Sequence, residues 1–105
     1  MAQFKVYENP NEATHQTYPY LLDIQSNLLD ELRTTVVIPL SPASTAGAAT
    51  LTKLCPTVEI EGETFIAVTQ QIAGIDRKYV GREICDLASQ RAEIIGAMDF
   101  LISGI

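Results

Sequence analysis

The hydrophobic period of this chain changes once, and that change limits what it can fold into. Between Gln3 and Asp86 the apolar residues come in short runs, several alternating with polar residues. From Ser89 to Ile102 they return at helical spacing instead, as Ile94, Ile95, Met98, Leu101 and Ile102. Alternation puts every second side chain on one face of a strand, whereas spacings of three and four build one stripe on a helix. The order predicts several strands followed by one C-terminal helix, an α+β, mainly β, antiparallel domain whose helix stripe covers one face of the sheet.

Individual elements follow from local chemistry. Gln3-Phe4-Lys5-Val6-Tyr7 predicts a first strand with Phe4 and Val6 on one face, closed by Asn9-Pro10-Asn11 and a polar loop through Thr17. Tyr20-Leu21-Leu22-Asp23-Ile24 predicts a second strand. Val36-Val37-Ile38, apolar on both faces, predicts a central third strand that Pro39 disrupts near its end. Ser41 to Thr50 reads as an exposed, mobile crossover loop. Thr57–Ile60 and Thr64–Val68 predict a hairpin turning through Glu61-Gly62-Glu63, and Val80 to Asp86 a short strand. Asp86 or Ser89 would cap the helix, which Ser103-Gly104-Ile105 ends.

At 105 residues the chain makes a single domain with a modest core, to which a subunit interface would add burial. A net charge of −6 leaves no basic surface to neutralise phosphates, so direct nucleic-acid binding is disfavoured and a protein partner favoured. Cys55 and Cys85 lack metal-ligand spacing and read as small buried or half-buried residues in a reducing cytosol. No segment reaches the roughly 18 apolar residues of a membrane span, and the N-terminus has no signal-like pattern, so a soluble cytoplasmic protein is expected.

Catalysis finds little material. The lone His15 lies in a polar loop, no phosphate-binding or dinucleotide glycine pattern occurs, and Glu59, Glu61 and Glu63 read as a solvated hairpin face. No metal, cofactor or catalytic residue is expected.

Several blocks, taken in order, resemble the CcdB toxin family: Gln3-Phe4-Lys5-Val6-Tyr7, Leu22-Asp23-Ile24-Gln25-Ser26 with Leu28-Leu29-Asp30, Val37-Ile38-Pro39-Leu40, Asp86-Leu87, and Gly104-Ile105. The resemblance implies a homodimer with a small SH3-like β-barrel or sheet and a C-terminal helix. It implies a non-enzymatic toxin that binds the DNA gyrase A subunit and traps gyrase on cleaved DNA. A CcdA-like antitoxin would reverse this and, with the toxin, repress the shared operon. The implied gyrase-binding residues are Leu28, Leu29, Asp99, Ile102, Ser103, Gly104 and Ile105. Ser103 stands where the family pattern has Trp, a typical interface anchor. Phe100, on the helix side opposite the main stripe, is expected to be exposed and to replace that aromatic in part. Two alternatives stay open. One is a MazF-like endoribonuclease of the same fold, with Arg33, Arg77, Arg82 and His15 as loose candidates; the other is a toxin homologue without activity that only binds antitoxin.

Overall fold

A computed structural model describes residues 2–45 and 53–104. Its strands are β1 (Lys5–Glu8), β2 (Tyr20–Asp23), β3 (Thr34–Pro42), β4 (Thr57–Ile60), β5 (Glu63–Ala67), β6 (Ala73–Asp76) and β7 (Glu83–Asp86), followed by helix α1 (Arg91–Ser103). All pair antiparallel in one curled sheet, a half-barrel of order β4-β5-β3-β2-β1-β7, with β6 also on β3. This is the small α+β, SH3-like architecture expected.

Strand β3 organises the sheet, and it is longer than the Val36-Val37-Ile38 run suggests. One edge pairs with β2. The opposite edge is shared, β6 pairing with Thr34 to Val37 and β5 with Leu40 to Pro42. Pro39 does not disrupt this strand. Its carbonyl accepts from the Val68 N–H at 3.0 Å, so the nitrogen faces the same edge, at the junction where one partner strand has ended and the other has not begun. A missing donor costs no ladder bond there. Ser41 and Pro42 belong to β3 rather than to the crossover loop, and residues 46–50 of that loop lie outside the described residues.

The β4–β5 hairpin forms as expected, with Ile60 opposite Glu63 and both turn residues, Glu61 and Gly62, at positive φ (52° and 81°). That twist matches the right-handed twist of the strands. Strand β6 was not expected, because Ala73-Gly74-Ile75-Asp76 carries neither alternation nor β-branched density; pairing with β3 makes it a strand. The first strand begins at Lys5, since Phe4 has φ 67°. Hydrogen bonds on both sides hold Phe4 in this unfavourable conformation: its N–H donates to Asp23 O at 2.6 Å, and its carbonyl accepts from Leu87 N at 2.7 Å. Its ring still joins Val6, Leu22, Ile38, Leu40, Val58, Ile60 and Ile94 in the core.

Helix α1 docks by its first half. Arg91 lies over the Phe4 ring at 5.9 Å, Gln90 Nε2 donates to Thr57 O at 3.1 Å, and Ile94 and Ala97 are buried. Neither Asp86 nor Ser89 caps it. The Asp86 carboxylate instead accepts from the Ala88 N–H at 2.7 Å, ahead of a 3-10 turn, Ala88–Gln90, that leads into the helix with no side-chain cap. Ile95 and Met98 pack partly on the core, but Leu101 and Ile102 run past it and are exposed. No described helix is long and apolar enough to cross a membrane.

Candidate partner-binding site

The last turn of α1 presents most of the expected site residues together. Ile102 is 83% exposed although it continues the apolar stripe that begins at Ile94. Gly104 closes the helix at φ 74°, its N–H donating to Phe100 O at 2.8 Å, a left-handed cap that glycine adopts without a Cβ penalty. Ser103 Oγ donates to Asp99 O at 2.7 Å, which turns the hydroxyl back along the helix. Ile105 lies outside the described residues. Phe100 departs from expectation, being half-buried rather than exposed. The burial centre sits on Ile94 and Ala97 instead of Ile94 and Ile95, and this rotation brings Phe100, three residues beyond Ala97, to the flank of the packed face.

Leu28 and Leu29 lie in the β2–β3 connection, in a 3-10 turn, Asn27–Leu29, with no buried residue. They do not pack at the loop base: Leu28 is 93% and Leu29 46% exposed. Polar contacts hold the turn instead. Ser26 Oγ accepts from Leu28 N at 3.2 Å, and Asn27 Oδ1 accepts from Gln3 N at 2.8 Å. Gln25 Nε2 reaches Thr34 O at 3.1 Å, and Arg77 reaches the Leu29 and Leu32 carbonyls at 3.2 and 2.6 Å. Among the described residues no hydrogen bond or ion pair joins this turn to the end of α1, so the expected site is two exposed apolar elements.

The residues weighed for catalysis divide into two groups. Arg33 pairs with Asp76 at 3.4 Å, and its carbonyl accepts from the Arg77 N–H at 2.9 Å. His15 and Arg82 line one concavity of about 240 Å³ with Glu8 and Tyr20. Arg82 Nε is bonded to Glu8 Oε1 at 2.7 Å, which offsets its charge. Burial, then the Glu61, Glu63 and Glu8 carboxylates, push the Tyr20 phenol up, and burial with Glu61 and Asp86 pushes the Cys85 thiol up. Neither group is activated as a nucleophile or base at neutral pH. Among the described residues no cluster of His, Cys, Asp and Glu could hold a metal ion. A second concavity, about 290 Å³, has an apolar floor of Leu21, Val37, Pro39, Ala73 and Ile75. Sequence reading missed it because β6 supplies one wall.

The molecule is thus a small α+β half-barrel that carries exposed apolar side chains at the end of its helix. The chain belongs to the CcdB family, whose model, described as CcdB protein, matches residues 3–104. Solved structures of similar fold include the Mycobacterium tuberculosis toxin MazF-mt6, at 17% identity over 79% of this chain and 84% of that one, with a TM-score of 0.66. Another is an endoribonuclease in complex with its cognate antitoxin from a mycobacterial species, at 10% identity over 97% of this chain and 94% of that one, with a TM-score of 0.74. At these identities the likeness is one of fold. The family, with this fold, supports a toxin of a toxin–antitoxin module as the protein's class.

Proposed function

We propose that this toxin acts as a homodimer on DNA gyrase, binding the A subunit and trapping the gyrase–DNA cleavage complex. A CcdA-like antitoxin neutralises it and, together with it, represses their operon. The observation that carries this reading is the exposed end of α1, with Ile102 bare and Gly104 in a left-handed cap, in a chain matching the CcdB family over residues 3–104. Leaving large apolar side chains in water has no benefit for folding, and such groups, held on a rigid helix anchored at its other end, are the usual material of an interface centre. Leu28 and Leu29 add a second apolar contact. Binding of this kind needs no catalytic group. The toxin would stabilise the cleaved state of gyrase by preferring it over the resealed one.

The test is DNA cleavage by purified gyrase with ATP, comparing the full chain with one lacking Gly104 and Ile105. Linear DNA should accumulate with the full chain and not with the truncated one, while circular dichroism of the two is the same. Absence of both cleavage and A-subunit binding with the full chain would overturn the reading.

One observation favours a second reading, an endoribonuclease: His15 and Arg82, a base and a cation, share a concavity in a fold that MazF-type toxins also have. The net charge of −6 and the Glu8 carboxylate on Arg82 oppose RNA binding there. RNA cleavage lost in both His15→Ala and Arg82→Ala would support it.

A further inference from the structure

The turn that carries Leu28 and Leu29 has no core of its own, yet it holds three leucines, including Leu32, in water. Unconstrained, such a segment would fold those side chains onto the nearest apolar surface. Ser26, Asn27 and Gln25 hold part of the turn, Gln25 Nε2 reaching Leu29 O at 3.4 Å, and a guanidinium from a distant part of the chain joins them. Arg77 Nε donates to Leu32 O at 2.6 Å and Nη2 to Leu29 O at 3.2 Å, while the Arg77 backbone N–H donates to Arg33 O at 2.9 Å. The neighbouring carboxylate, Asp76, is bonded to Arg33 and to the Lys78 N–H, and no ion pair to Arg77 occurs among the described residues. The arginine charge is thus directed at two backbone carbonyls of one turn. A planar fork fixes the direction of both bonds at once, which a single ammonium cannot do.

We propose that Arg77 is a positioning residue, whose guanidinium fork holds the Leu29 and Leu32 carbonyls so that Leu28 and Leu29 stand out for the gyrase A subunit. The partner in this inference rests on the gyrase reading; the ordering of the turn does not. Two measurements separate them. In the free protein, Arg77→Gln should speed hydrogen exchange at the Leu29, Asp30 and Leu32 amides about tenfold, with Leu22 and Ile38 unchanged. Arg77→Lys should behave like Arg77→Gln, because it keeps the charge and loses the fork.

Against purified gyrase A subunit, Arg77→Gln should bind about tenfold more weakly, and so should the Leu28→Ala, Leu29→Ala double variant. Adding Arg77→Gln to that double variant should cause no further loss, since the residue acts only through the leucines it presents. Unchanged exchange in Arg77→Gln, wild-type behaviour of Arg77→Lys, or additive losses in the triple variant would each overturn the proposal. If the wild type does not bind the A subunit, the gyrase reading falls, and with it the partner named here; faster exchange would then sustain only the ordering of the turn.

Discussion

Among single residues, Asp23 and Thr35 form a buried polar pair between β2 and β3. Both are buried, and Thr35 Oγ1 donates to Asp23 Oδ1 at 2.8 Å while the Gln25 N–H reaches the same oxygen at 3.1 Å. In Thr35→Val, nearly equal in volume, this oxygen keeps the Gln25 N–H and loses one buried hydrogen bond, which should destabilise by about 1 kcal/mol. Urea unfolding checks this; an unchanged midpoint would mean that another donor moves in. The position was legible only in part. Sequence alternation puts Asp23 on the side of β2 opposite Leu22 and Ile24, the side a half-exposed strand turns to water. Leu21 and Asp23 are buried as well, so both faces of β2 are covered.

At the scale of elements, the two glycines Gly74 and Gly81 differ in what their surroundings permit. A Cβ on Gly81 would stand 2.9 Å from Glu8 O and 3.0 Å from Glu8 Cβ, because the chain entering β7 passes against the end of β1 and the Gly81 N–H bonds to Glu8 O. Backbone cannot yield as a side-chain tip can. Gly81→Ala should cost about 1–3 kcal/mol by displacing the β1–β7 pairing. Gly74, in β6, has nothing within 4 Å of its Cβ site, so Gly74→Ala should be neutral or stabilising by up to about 1 kcal/mol through the unfolded chain. Thermal melts of the two variants decide between them, and equal shifts would mean that β7 is not locked to β1 at this point.

For the whole molecule, α1 joins the core to the exposed surface within one helix. Ile94 is 1% exposed and Ile102 83%, though the sequence treats them as two members of the same stripe. Ile94→Ala should therefore cost about 2–5 kcal/mol in stability. Ile102→Ser should change the stability of the monomer by no more than about 0.5 kcal/mol and, on the proposed gyrase reading, abolish toxin-dependent DNA cleavage by gyrase. Unfolding of both variants at two protein concentrations provides the check. A large, concentration-dependent loss in Ile102→Ser would place that side chain in contact between two copies of the chain instead.

The sequence alone determined the kinds of element and most of their positions, because alternation, helical spacing and turn chemistry are local and survive in any context: Val58-Glu59-Ile60, Glu61-Gly62 and Ile94 to Met98 could be read as they stand. Its ordered blocks also pointed to the family. Only tertiary structure decided the rest. Pairing with β3 made a strand of Ala73–Asp76, and the change of partner strand made Pro39 harmless. The same physics divided the helix stripe into core and surface: periodicity records which side of a helix is apolar, but how far along that side the core reaches depends on residues distant in sequence.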